Sequence, residues 1–155
     1  MRRLYAALAA AVIGLVAVPV ALADKPAPRT FVVVLTAEEE VPRCAAAGNN
    51  SRGVAIFKVR DEATGLVSYK VVANNIPGTI TAAHIHPGAK GVANPPIQST
   101  PLTPGAENGV VGRGTFTNPA LVAALRANPQ DFYFNVHSDV CAPGVIRGQF
   151  GDHGP

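Results

Sequence analysis

Two histidines one residue apart, His84 and His86, lie in the segment Thr81-Ala82-Ala83-His84-Ile85-His86-Pro87, and a third, His137, closes Phe132-Tyr133-Phe134-Asn135-Val136-His137. Alternate residues of an extended chain project to one side about 6.6 Å apart, so a His-x-His pair can aim two imidazoles at one ion. Imidazole suits both copper and zinc, and water or a loop group can complete the shell. Parity supports convergence of the third ring. In the late segment Tyr133, Asn135 and His137 share one face, and Phe132, Phe134 and Val136 the other. In the early one His84 and His86 oppose Ala83 and Ile85. Both segments therefore turn an apolar face to a core and their histidines away from it. Tyr133 and Asn135 stand beside the ligands as hydrogen-bond partners. The competing reading is a polar cluster in which these same partners hold the histidines without an ion. The remaining histidine, His153, falls in the tail.

Cys44 and Cys141 are the only cysteines. In an exported protein they are expected to pair, and closing so long a loop is worth about 4 to 5 kcal/mol. The rival role is a thiolate ligand at Cys141, four residues after His137. A blue-copper set also wants an axial methionine, and the only methionine is Met1.

The elements that must position these groups are short and apolar. Segments rich in Val, Ile, Phe and Tyr run over Thr30 to Leu35, Gly53 to Arg60, Leu66 to Ala73, Ile80 to His86, Val110 to Thr117, Phe132 to Ser138 and Val145 to Phe150. Turn residues separate them, which predicts an antiparallel sandwich or Greek-key barrel. Asp61 to Gly65 is a hairpin turn in which Gly65 suits a positive φ. One helix is expected, from Asn118 to Asn128, with Asn118 as cap and Pro119 in the first turn. The Pro/Gly-rich stretch from Pro87 to Gly109 is expected as surface loop beside the His-x-His strand, a lid for the site.

Arg2 and Arg3, an apolar run from Leu4 to Val20, and Ala21-Leu22-Ala23 have the form of a secretory signal, residues 1–23, cleaved before Asp24. Residues 24–30 and 151–155 are expected as flexible ends. Export predicts a secreted or periplasmic protein with no membrane attachment after cleavage. The formal net charge of +3 drops by two with Arg2 and Arg3, and no basic run remains to suggest nucleic acid as a partner. Glu38-Glu39-Glu40 is expected as a solvated charge run that pairs with Arg147.

Leu35-Thr36-Ala37-Glu38-Glu39-Glu40-Val41-Pro42, Thr81 to His86, Asn135-Val136-His137 and Gly144-Val145-Ile146-Arg147-Gly148-Gln149 together resemble the CHRD domain, named after the repeats of chordin, over residues 31–150. The resemblance implies an all-β, immunoglobulin-like Greek-key sandwich with one short helix, distantly similar to copper/zinc superoxide dismutase. His84, His86 and His137 look like three of that enzyme's copper ligands, which implies copper ahead of zinc. The zinc ligands have no counterpart between Pro87 and Gly109, and the active-site arginine is missing. Catalysis is therefore not expected, and redox chemistry at copper is the one enzymatic option. No Gly-x-Ser-x-Gly elbow, phosphate loop or CxxC pair is present. Chordin's repeats suggest the alternative of an extracellular module that binds another protein.

Overall fold

The computed structural model describes residues 29–152. The expected signal at 1–23, most of the two flexible ends, and His153 lie outside the described residues.

Strands β1 (Thr30–Thr36), β2 (Arg52–Asp61) and β3 (Leu66–Asn74) are followed by β4 (Ile80–Pro87), β5 (Gln98–Ser99) and β6 (Gly109–Thr117). Helix α1 (Pro119–Ala127) leads into β7 (Phe132–Ser138) and β8 (Ile146–Gln149). The strands form one 8-stranded sheet in the order β5-β4-β7-β8-β1-β2-β3-β6, antiparallel throughout. Chain crossings between its two halves, from β3 to β4, β5 to β6 and β6 to β7, give the Greek-key character. The seven expected strands are present, and the eighth, β5, sits inside the stretch expected as pure loop. It pairs with β4 through only His84 and Ile85, too short a run for any periodicity to announce.

Alternation explains the curl. Phe31, Val33 and Leu35 of β1, Ala55 and Phe57 of β2, Val67, Tyr69 and Val71 of β3, and Phe134 and Val136 of β7 are all buried on one side. Enclosing that side removes each large side chain from water, a gain of roughly 1.5 to 3 kcal/mol apiece. The sheet accordingly closes on itself as a sandwich. Phe57 meets Phe134, two strands beyond its neighbour β1, and Phe150, which directly follows β8, each with ring centroids 5.2 Å apart. The segment after β5 seals the open side: Thr100 N donates to Ala83 O on β4 at 3.0 Å, and Thr103 N donates to Val111 O on β6 at 2.8 Å.

Local signals hold as read. Gly65 has φ +70 in the hairpin that pairs β2 with β3. Asn118 Oδ1 accepts from Leu121 N at 3.0 Å, and Leu121, Val122 and Leu125 are the buried face of α1. Cys44 and Cys141 form a disulfide with Cα atoms 5.8 Å apart. No helix among the described residues is long and apolar enough to cross a membrane.

Candidate metal centre

Strand β7 lies between β4 and β8. Its register pairs His84 with Asn135, His86 with Tyr133 and Ala82 with His137, while Asn135 faces Arg147 and Tyr133 faces Gln149. Seven polar or aromatic side chains are thereby collected on the side of the sheet away from the core: His84, His86, Tyr133, Asn135, His137, Arg147 and Gln149. One ligand atom from each of the three histidines can be chosen so that all lie within 4.8 Å of one another. His84 Nδ1 is 3.1 Å from His137 Nε2, the separation two nitrogens have on an ion at about 2.0 to 2.1 Å from each.

Neighbouring groups orient the rings. His137 Nδ1 lies 2.9 Å from Ala142 O, so it carries the proton and Nε2 keeps the lone pair. His86 Nδ1 lies 2.7 Å from Asn94 O, and its Nε2 lies 3.0 Å from Asn135 Oδ1. A neutral His86 can donate to only one of those two oxygens. With the proton on the shorter contact, the Nε2 lone pair faces a second acceptor. A cation suits that arrangement, and a backbone carbonyl fixing the opposite ring nitrogen is the usual device for presenting an imidazole to a metal. The donor set therefore fits a metal ion.

The family model for the CHRD domain matches residues 31–150, from the second residue of β1 to the residue after β8. The chain belongs to the CHRD domain family. No curated protein and no solved structure matches it.

In this CHRD domain His86, Tyr133, Asn135, Arg147 and Gln149 are buried on that side of the sheet, and His84 and His137 are half-buried at its edge. Residues 88–97 lie across it, tied by Arg147 Nη1 to Val92 O (2.8 Å), Arg147 Nη2 to Ala89 O (3.1 Å), Gln149 Nε2 to Gly88 O (2.6 Å) and Asn94 N to Tyr133 Oη (3.1 Å). The Tyr133 ring is stacked on both sides, by His86 at 4.6 Å and 7° and by the Arg147 guanidinium at 3.4 Å. The expected lid over the histidine strand is thus present. Arg147 departs from expectation, because it makes no ion pair with Glu38, Glu39 or Glu40. It is 1% exposed, and its fork is spent on loop carbonyls and an aromatic face. Glu39 pairs with Lys90 at 2.7 Å and Glu38 with Arg43 at 3.6 Å.

Burial holds all three histidines below the ordinary imidazole range. His84 is lowered to about 4 by desolvation, with His137 and His86 adding in the same direction. His86 is lowered chiefly by desolvation, against its two hydrogen bonds and with the Arg147 charge assisting. His137 is lowered by desolvation against its bond to Ala142. Each is therefore neutral at pH 7, the form that ligates.

Glu40 was expected in solvent and is instead 4% exposed. Its Oε1 accepts from Val41 N at 3.1 Å and its Oε2 from Asn135 Nδ2 at 3.4 Å, so it lies one residue behind His86. Gly144 makes room, since a Cβ there would run into Oε2. Desolvation raises the Glu40 carboxyl to about 7. Between the ordinary carboxyl value of 4.5 and about 7 the folded chain holds a proton that the unfolded chain has released, so this group's contribution to stability is lost as pH rises through that window. Urea titrations of wild type and Glu40→Gln at pH 5 and pH 8 are expected to show the variant gaining on wild type at pH 8. A pH-independent difference would mean the carboxyl titrates normally.

Among the groups missed in sequence, Arg147 and Gln149 carry a signal: they alternate with Ile146 and Gly148 on β8 as the histidines alternate on β4. Asn94, Ala142 and Glu40 carry none, because loop contacts and a run of identical residues have no period.

Proposed function

We propose that His84, His86 and His137 bind one copper ion per chain, in a protein exported with its signal removed after Ala23 and acting as a metal-binding module without catalysis. The observation that carries this reading is the convergence of three neutral imidazoles, one ligand atom of each within 4.8 Å of the others. Copper is preferred over zinc because an imidazole set binds it more tightly in the divalent series. The disulfide is compatible with export to an oxidising compartment. Copper, when bound, supplies Lewis acidity and one-electron chemistry. The chain's own groups orient the ligands: Ala142 O sets the His137 ring, while Asn94 O and the Tyr133 stack set His86. An open pocket of about 400 Å³ lies against all three histidines, rimmed by Thr81, Pro96 and Asp139, which leaves room for water or a small ligand.

The test is metal content after equilibrium dialysis against Cu(II) and, separately, Zn(II). Wild type is expected to retain one copper per chain, and the His84→Ala/His86→Ala/His137→Ala variant none, at matched circular dichroism. Equal copper in the two proteins would sink the metal reading. The histidines would then be a hydrogen-bonded polar cluster, and the protein a module for binding another extracellular protein.

A further inference from the structure

We propose that the outer face of β2, β3 and β6, remote in register from the histidines, is a binding surface for an acidic polysaccharide. Five cations lie on these strands: Arg52, Lys58 and Arg60 on β2, Lys70 on β3 and Arg113 on β6, all exposed. In the sequence no two of them are adjacent, so no basic run marks them. The register brings them together, pairing Lys70 with Arg113 on one side and with Ile56 on the other, and Lys58 with Ser68. Strand geometry spaces such groups about 4.8 Å across the sheet and about 6.6 Å along it. Lys58, Arg60, Lys70 and Arg113 border an open groove of about 390 Å³, with Ile56 and Ser68 also lining it.

None of these five cations forms an ion pair among the described residues. The adjacent carboxylates are engaged elsewhere: Asp61 Oδ1 accepts from Ala63 N and Thr64 N, and Glu62 pairs with Arg29 and Arg126. A nearly neutral domain has thus gathered five cations on one face against the single carboxylate of Asp61 at its end, a charge pattern complementary to an anionic ligand. The cations form a grid along a groove rather than a cup, which fits a polymer with evenly repeated carboxylates or sulfates better than a single small anion. Ser68 and Thr115 offer hydroxyls to sugar hydroxyls, and Val32 on the neighbouring β1, paired with Ile56 and 39% exposed, gives a sugar ring an apolar flank. No aromatic is among the exposed large hydrophobic residues. A nucleic acid would lack stacking platforms there, and a membrane would lack inserting side chains.

The experiment measures binding of the full mature chain to polygalacturonate and to dextran sulfate, with uncharged dextran, duplex DNA and phosphatidylserine vesicles as comparators. Wild type is expected to bind at least one acidic polysaccharide in a salt-dependent way and to prefer it to DNA and vesicles. Lys58→Gln/Lys70→Gln/Arg113→Gln is expected to weaken binding by about tenfold or more, since each lost cation removes counter-ion release. Lys90→Gln, in the segment after β4 and already paired with Glu39, leaves it unchanged. Should the triple variant misfold, Lys58→Glu alone carries the comparison, because its side chain is exposed and unpaired. Equal binding by wild type and the folded variant, or tighter binding to DNA or vesicles, overturns the proposal. Copper retention is unchanged in the variants of Lys58, Lys70 and Arg113, so this result and that of the metal test are read separately.

Discussion

Replacing Cys44 and Cys141 together by alanine is expected to lower the unfolding free energy by about 4 to 5 kcal/mol, as the chain-entropy model gives for a loop of this size; the two residues are 97 apart in sequence. Nothing else among the described residues joins these two segments covalently. The bridge ties the connection between β1 and β2 to the turn between β7 and β8, and Cys141 is 1% exposed at the centre of that turn. Cys141 N donates to Ser138 Oγ at 3.1 Å, and Cys141 O accepts from Gly144 N at 3.1 Å. Ala142, the next residue, holds the His137 ring. The variant is therefore expected to lose copper affinity along with stability, although no ligand has been touched. Urea unfolding of both proteins, followed by copper titration under native conditions, measures the two effects. A stability loss below about 1 kcal/mol, the size of an ordinary point mutation, would mean the bridge is incidental.

His86→Ala is expected to reduce copper affinity by more than about a hundredfold, because loss of a mere ligand-orienting group already costs about 10- to 100-fold. The fold survives, at a cost. His86 is 5% exposed and sits between Asn94 O, Asn135 Oδ1 and the Tyr133 ring, so its removal strands polar atoms and costs about 1 to 3 kcal/mol. His153→Ala is the matched control, with no effect on either quantity. Competition titration against a chelator of known affinity, together with thermal unfolding, separates ligand loss from unfolding. Unchanged copper affinity in a folded His86→Ala protein would remove this residue from the site.

The parity of His84, His86 and His137 was readable in sequence because a strand's period of two is set by local geometry and needs no knowledge of neighbours. The Asp61 to Gly65 turn and the α1 caps were readable for the same reason. That the Pro/Gly-rich stretch lies beside the histidine strand was readable as well, but what fastens it there was not. Residues 88–97 are held by Arg147 and Gln149, more than fifty residues away, and no local pattern reports such pairing. Arg147 illustrates the difference: its charge suggested a carboxylate partner, yet burial between a ring and two carbonyls settled its role. The basic face escaped for a related reason, since Lys70 and Arg113 become neighbours only through the β3 and β6 register.

Residues 100–103, which link β4 to β6, have a further consequence. A sheet that ends in exposed strands offers rows of unpaired amides and carbonyls to other chains, the starting point of edge-to-edge aggregation and of strand exchange between copies. Here one terminal strand, β5, is two residues long, and the carbonyls of Ala83 and Val111 are already taken by Thr100 and Thr103. The other edge, β6, is nine residues long, so strand exchange between copies is expected at β6 and not at β5.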